Sequence, residues 1–241
     1  QQINIDHLLR MSSGLAFNEA YGLYSDVSQM LSLEADTALY AATRNVAASP
    51  DKTWLYSSGT TNILTGILKQ HLGGSVQKQY EFLQQRLLLP LALNTAVFES
   101  DAAGNFIGSS YFYASARDWA KLGLFCLQNG YWNGQQLLPK NWIQYSTTPT
   151  PTNPKNNYGA HFWLNADPTD AEQKRPWPSV PADMYRMSGY QGQTVAVVPS
   201  MDLVFVRLGF TPSDNTGSEA VLSQIIQWLQ TQPQTNLASF L

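Results

Sequence analysis

The last third of the chain carries the pattern that most constrains its fold. Three apolar segments of strand length, 184–188, 194–198 and 203–208, are separated by short segments that contain glycine, proline and aspartate. Because short connections join antiparallel neighbours, these segments predict a three-stranded meander. Residues 218–229 follow with apolar side chains at helical spacing, which predicts an amphipathic helix that closes the chain.

Helical patterns dominate the region before these strands. Helices are predicted over 6–9, 63–72, 76–87 and 119–127. The predicted caps are Gly14 after the first helix, Ser75 before the third, and a capping box of Ser115 and Asp118 before the fourth. The stretch after Gly14 is expected to be irregular. The sequence Asn133-Gly134 predicts a tight turn.

The order of these patterns defines the fold class. Two loops rich in proline and asparagine, 149–157 and 168–181, surround a strand-like segment at 159–164. Helices come first, strands follow and a helix packs at the end, which is the segregated α+β arrangement. We therefore predict one catalytic-type domain over 1–241, with a helical lobe over about 1–145 and strands with a closing helix over about 158–230.

Composition excludes several classes of protein. A net charge of -3 with only 13% charged residues offers no basic field for a nucleic-acid partner. The longest apolar run is interrupted by Pro90 and is much shorter than the roughly 20 residues of a membrane span. Three scattered histidines predict no metal site, and we expect no cofactor. One cysteine excludes an internal disulfide and leaves the compartment open, although a periplasmic or exported location is the expectation.

The strongest candidate for chemistry is Tyr56-Ser57-Ser58, which directly precedes a helical pattern. In extended backbone, residues two apart point to the same side, so a phenol and a hydroxyl converge on one cleft. A tyrosine-assisted acyl-transfer site has this spacing. The alternative is a structural tyrosine in a loop.

Several segments together resemble the serine β-lactamase and penicillin-recognising family, in its branch of class C-like hydrolases and esterases. They are Leu8-Leu9-Arg10-Met11-Ser12-Ser13-Gly14-Leu15, Tyr56-Ser57-Ser58, residues 108–119, residues 158–163 and Ser188-Gly189-Tyr190-Gln191-Gly192-Gln193. They follow the family order over nearly the whole chain. The resemblance implies a β-lactamase/transpeptidase-like fold and a serine hydrolase that forms an acyl-enzyme from a small-molecule acyl substrate.

The resemblance also implies roles for individual residues. Tyr56 matches the family tyrosine that shuttles a proton, and Ser58 stands where most members have asparagine. The Ser58 hydroxyl lacks the two-sided recognition of that amide, which puts efficient β-lactam turnover in doubt. Tyr190 replaces a basic residue of the cleft strand and would favour uncharged or differently held acyl groups. The other implied binding residues are Gln191, Gly192 for close approach of the substrate, Gln193 for its oxyanion N–H, and Tyr111. For Tyr190 and Tyr111, structural packing is the alternative.

The family nucleophile is a Ser-x-x-Lys pair on a helix, where the spacing stacks the ammonium beside the hydroxyl. The internal matches are Ser49-Pro50-Asp51-Lys52, expected in a loop, and Ser75-Val76-Gln77-Lys78, expected at a helix cap. We expect the true pair on a preceding segment, which would make the chain N-terminally incomplete and that segment a partner. Two further readings stay open: a non-catalytic member that binds acyl or peptidoglycan-like ligands, and a carbohydrate-binding or scaffolding module.

Overall fold

The computed structural model describes residues 2–211 and 217–232, so both ends of the predicted domain lie outside the described residues. The helices are α1 (Ile5–Leu9), α2 (Asp26–Ser32), α3 (Thr37–Ala42), α4 (Ser58–His71), α5 (Val76–Leu83), α6 (Ala116–Leu127), α7 (Trp142–Thr147) and α8 (Ser218–Thr231). The strands are β1 (Val97–Phe98), β2 (Phe112–Tyr113), β3 (Tyr131–Trp132), β4 (Gln135–Gln136), β5 (Trp163–Leu164), β6 (Tyr185–Gly189), β7 (Gln193–Val198) and β8 (Leu203–Arg207). The division into two lobes stays a prediction.

The main sheet is antiparallel and has the order β5-β6-β7-β8. It contains the predicted meander and adds β5 at its edge. Ala196 and Val198 on one face of β7 pack against Leu222 and Ile226 of α8. Val197 on the other face belongs to a second cluster with residues of α6 and α7. The α+β class and the closing helix are therefore confirmed.

Helix α4 lies in the centre of the helical region and leads to the candidate site. It packs on α3, and the buried Asn62 amide donates to the Ser109 hydroxyl at 3.2 Å. The serine cap on α5 is confirmed, because the Ser75 side chain accepts the Lys78 N–H. The Asn133-Gly134 turn is confirmed as well, since it joins the antiparallel pair β3 and β4. The Ser75 cap and the Asn133-Gly134 turn were therefore predictable from the sequence.

Three helices were not predicted. The stretch expected to be irregular contains α2 and α3, which are capped by the side chains of Ser25 and Asp36. These helices have 7 and 6 residues, and α7 also has 6. Helices this short show fewer than two turns of apolar periodicity, so the pattern is too brief to recognise.

Three local predictions were wrong. The segment 159–164 is a strand only at its end, because His161 has φ 62 and turns the backbone before β5. Asp118 does not close a capping box, since its carboxylate binds the N–H and hydroxyl of Thr95 instead. Gly14 does not cap α1: Met11 takes the left-handed φ of 61 there, and Gly14 makes a close backbone contact further on.

Within the described ranges, 2–211 and 217–232, no helix has the length and apolar character that crossing a membrane requires. The same part of the chain holds no cluster of three histidine, cysteine or acidic side chains suited to a metal ion.

Candidate active site

The segment that carries Tyr56 is fixed on both sides before helix α4 begins. The Leu55 N–H donates to the Met11 carbonyl at 2.9 Å. The Ser57 side chain then accepts the Thr60 N–H as the N-cap of α4. The helix start therefore determines where the Tyr-x-Ser side chains lie.

Tyr56 enters an aromatic cluster. Its ring centroid lies 5.1 Å from that of Trp163 and 5.8 Å from that of Tyr158. Burial raises the pKa of the Tyr56 phenol to about 12, and the negative charges of Glu19 and ionised Tyr21 act in the same direction. At neutral pH the phenol is therefore protonated in the structure described.

Ser58 is bound by a carboxylate. Its hydroxyl donates to Glu19 Oε1 at 2.6 Å, and its N–H donates to Glu19 Oε2 at 2.8 Å. The carboxylate thus lies at the N-terminus of α4, where a negative charge is favoured. Burial nevertheless raises the pKa of Glu19, and the Ser58 hydrogen bonds offset this effect only in part.

Tyr21 connects these residues to the sheet. Its ring centroid lies 4.7 Å from that of Tyr190, which is 61% exposed. Burial raises the pKa of Tyr21, as do the charge on Glu19 and smaller effects of Tyr190 and Tyr111, whereas a hydrogen bond with Ser58 lowers it. Side chains from three segments that are distant along the chain, those of Tyr21, Ser58 and Tyr190, therefore interact around the Tyr21 ring.

Strained backbone borders this point on two sides. Tyr111 has φ 60 and Gln191 has φ 56, in the left-handed region that non-glycine residues seldom occupy. Such residues cost about 1–3 kcal/mol each and cluster at functional sites. Strain at both positions is consistent with a site.

The turn that joins β6 to β7 is bonded to the neighbouring sheet residues. The Gly192 carbonyl accepts from Arg207 Nη1 at 2.8 Å. The Gln193 side chain bonds both the carbonyl and the N–H of Gly209, at 2.7 and 2.9 Å. Gln191 accepts a backbone hydrogen bond through its carbonyl. The turn is therefore rigidly attached, while the Tyr190 ring stays accessible.

Four of the seven residues predicted from the sequence come together in this way: Tyr56, Ser58, Tyr111 and Tyr190. The other three, Gln191, Gly192 and Gln193, lie in the adjoining turn. Sequence reasoning missed Glu19 and Tyr21. Their Glu-x-Tyr spacing has the same two-residue period as Tyr-x-Ser and was the available signal, but it lay in a stretch treated as irregular.

The two internal Ser-x-x-Lys matches have structural roles. Residues 49–52 form a turn, and Asp51 within it accepts from the Ser12 hydroxyl. Ser75 caps α5 and follows the far end of α4, about 20 Å along the helix from Tyr56 at 1.5 Å per residue. Neither match puts a lysine beside the phenol.

The described residues place no lysine or arginine beside the Glu19 carboxylate. Among the ion pairs of the described residues, none includes Glu19. The groups that shift the pKa values of Glu19, Tyr21 and Tyr56 include no lysine or arginine. The Glu19 carboxylate can accept hydrogen bonds from hydroxyl groups such as that of Ser58, and a cation can be placed beside it.

This fold is that of the penicillin-binding and β-lactamase family. The Beta-lactamase family model matches residues 1–224, and the chain belongs to that family of serine hydrolases.

Solved structures of the family have the same fold. A Bacillus anthracis protein, a candidate 6-aminohexanoate-dimer hydrolase, is 20% identical with a TM-score of 0.73, and the match covers 96% of this chain and 63% of that one. A Mycobacterium bovis beta-lactamase is 16% identical with a TM-score of 0.65, covering 95% and 75%. EstCE1, a hydrolase with promiscuous acyltransferase activity, is 15% identical with a TM-score of 0.64, covering 92% and 71%.

An uncharacterized protein of Alkalihalophilus pseudofirmus is 31% identical over 99 residues, which is 39% of this chain and 29% of that protein. The chain thus spans less than a third of this curated relative and under two thirds of the Bacillus structure.

Proposed function

We propose that the protein is a serine hydrolase that forms an acyl-enzyme with an ester or amide and then releases the acyl group to water. The observation that carries the proposal is that Tyr21 links the two sides: it interacts with Tyr56 and Ser58, and its ring stacks on Tyr190 of the sheet turn. In this family, one side of the cleft supplies the proton shuttle and the other supplies the substrate-binding strand.

The chemistry requires a positive charge beside Tyr56. A phenol with a pKa of about 12 accepts a proton from serine only after it has itself been deprotonated, and an adjacent ammonium stabilises that phenolate. The serine Oγ then attacks the carbonyl carbon, the carbonyl electrons move to oxygen, and the serine proton passes to Tyr56. Tyr56 returns this proton to the leaving group as the bond to it breaks. Water repeats the sequence to release the acid.

The remaining residues fit supporting roles. Because the Ser58 hydrogen is donated to Glu19, its oxygen is free to accept from an ammonium in place of the family asparagine. The Gln193 N–H would be one oxyanion donor, with Gly192 leaving space for the substrate. Tyr190 carries no charge to hold a substrate carboxylate, so esters and amides are favoured over β-lactams.

The nucleophile in this proposal is a Ser-x-x-Lys pair on another segment, since residues 49–52 form a turn, Ser75 caps a helix, and no lysine of the described residues influences the Tyr56 phenol. The test is the intact mass of the protein, as its cells produce it, after treatment with a fluorophosphonate, followed by peptide mapping. The proposal predicts one adduct, on a serine followed three residues later by lysine. An unmodified protein, or an adduct on Ser49 or Ser75, would overturn it.

The second candidate function is ligand binding without catalysis. It is favoured by one observation, that no cation among the described residues influences the Tyr56 phenol. It predicts no covalent adduct together with reversible binding of acyl compounds. The same mass spectrum therefore separates the two functions.

A further inference from the structure

A cavity of about 380 Å³ is lined by residues of α6, α7, β5 and β6. Its inner wall is apolar, because Ile143, Leu164 and Met184 line it and are buried. Its rim is polar and exposed, with Gln144 and Asp183 among its residues. An apolar interior of about 300–1,000 Å³ with a few polar groups is typical of sites that bind small molecules.

The cavity lies at the start of β6, and the candidate active site lies at the other end of this strand. Tyr185 lines the cavity and is the first residue of β6, whereas Tyr190 follows the last one. Five residues of extended backbone span roughly 16 Å. None of the residues that line the cavity belongs to the candidate active site, so the cavity does not depend on the nucleophile of the proposed function.

The phenol of Tyr185 is a polar group of the inner wall. The residue is 4% exposed, and its ring packs edge-on against that of Phe162 at a centroid distance of 5.2 Å. Within the described ranges, the hydroxyl makes no hydrogen bond to the protein. It is also not among the buried polar atoms that are closed off from solvent without a partner. The hydroxyl therefore reaches solvent, and the cavity that Tyr185 lines provides this access.

The properties of the cavity define the class of ligand. Burial raises the pKa of the Tyr185 phenol, so the hydroxyl keeps its hydrogen and can donate it to a ligand oxygen. The Asp183 carboxylate, which accepts two hydrogen bonds from Ser200, places a negative charge at the rim and disfavours anions. A cavity of about 150 Å³ holds one benzene ring, so about 380 Å³ has room for two fused rings.

We propose that this cavity binds a small neutral molecule of two fused rings whose carbonyl oxygen accepts a hydrogen bond from Tyr185. The rings displace water from the Ile143 and Leu164 side chains, which is favourable because apolar surface leaves water. The carbonyl gives the Tyr185 hydroxyl the acceptor that the described residues do not supply. Because Asp183 disfavours anions, the acid that ester or amide hydrolysis releases is not the ligand.

The experiment compares 1-indanone with 1-methylindane. The two compounds have the same number of heavy atoms and carry a carbonyl oxygen or a methyl group on the same ring carbon. Binding to the full-length protein is followed by NMR of the isoleucine, leucine and methionine methyl groups, labelled with carbon-13. We expect 1-indanone to shift the methyl signals of Ile143, Leu164 and Met184 saturably, with a dissociation constant on the order of 1 mM. The Ile63 methyl signals in α4 should not shift.

Two variants test the contacts. Tyr185→Phe keeps the ring and should weaken 1-indanone about 5-fold and 1-methylindane by less than about 2-fold, because only the ketone loses a hydrogen bond. Ala182→Trp fills the exposed rim and should abolish the saturable shifts with both compounds. Its control, Ala102→Trp, places the same ring at an exposed position outside the cavity and should leave both affinities unchanged.

Three results would overturn the proposal. The first is the absence of saturable shifts at the three cavity methyls of the wild type, which needs no variant to fold. The second is equal weakening of the two compounds by Tyr185→Phe. The third is persistence of the shifts in folded Ala182→Trp. Fluorophosphonate labelling of the same protein tests the proposed function separately, because the probe reports a reactive serine and not this cavity.

Discussion

The starts of helices α4 and α6 have the same local design and opposite electrostatics. Each has a serine N-cap, Ser57 in α4 and Ser115 in α6, and each lies beside a carboxylate. Burial would raise the pKa of Asp118, but the Lys121 ammonium and the Thr95 donors outweigh it and hold that pKa at about 2. Burial raises the pKa of Glu19 without a cation to oppose it.

The difference distinguishes a carboxylate that joins elements of the fold from one that lies in the candidate site. The Asp118 carboxylate accepts two hydrogen bonds from Thr95 and one from Lys121, and the Asp118 N–H donates to the Ser115 cap, so that all four bonds join elements of the fold. Glu19 bonds Ser58 and faces tyrosines whose rings are partly exposed. A partly buried carboxyl whose pKa is raised and that has no cationic partner among the described residues is typical of sites that bind or react.

The largest expected effect is that of Tyr56→Phe on catalysis. Removing the phenol removes the proton shuttle, so hydrolysis of p-nitrophenyl acetate should fall by about 100- to 10,000-fold. The matched control is Tyr131→Phe in the exposed hairpin, which should stay within about 2-fold of wild type. Comparable loss in both variants would mean that Tyr56 has no special role.

The two carboxylates should differ next in stability. Asp118→Asn loses charged hydrogen bonds to Lys121 and Thr95 and should lower the free energy of unfolding by about 2–3 kcal/mol. Glu19→Gln should change it by less than about 1 kcal/mol, because relief from desolvation offsets the weaker bonds to Ser58. Urea unfolding measures both values, and a larger loss for Glu19→Gln would break the comparison.

Their pH dependences should have opposite signs. The folded pKa of Asp118 is depressed, so its contribution is present above the ordinary aspartate pKa of about 4 and is lost as pH falls toward about 2. The folded pKa of Glu19 is raised, so wild type should lose stability relative to Glu19→Gln as pH rises through the ordinary glutamate pKa of about 4.3. Parallel curves for the two variants, each subtracted from wild type, would contradict this assignment.

The smallest effect tests what the two helix starts share. Ser57→Ala and Ser115→Ala each remove a cap hydrogen bond to the helix N-terminus, and each should cost about 1 kcal/mol in unfolding free energy. Similar values would show that the caps are equivalent and that the carboxylates make the difference. Unfolding free energies that differ by more than about 1 kcal/mol between the two variants would show that the caps are not equivalent.

The parts of the fold predicted from sequence were those with a long repeating pattern. Helices α4, α6 and α8 have 14, 12 and 14 residues, which is more than three turns each, and the strands of the meander follow one another with short connections. Ser75 could be recognised as a cap because two glycines precede it. Helices α2 and α3 were missed because 7 and 6 residues show too little periodicity. The end of α1 was misplaced because Met11, rather than a glycine, takes the left-handed conformation.

The candidate site was predictable where a motif was compact. Tyr56 and Ser58 stand two residues apart, and Tyr190 lies on a recognisable strand end. Glu19 and Tyr21 were missed because their importance depends on contacts with residues 39 and 169 positions away along the chain. The spacing of residues within one segment does not predict contacts with segments that are distant along the chain.

The most direct test of the comparison is a single carbon-13 NMR titration of the side-chain carboxyls of Glu19 and Asp118. We predict that, in the 241-residue chain, Asp118 titrates near 2 and Glu19 titrates above the ordinary range of a glutamate. A pKa of Glu19 at or below the ordinary value of a glutamate in this chain, or a pKa of Asp118 at the ordinary value of an aspartate, would contradict the comparison.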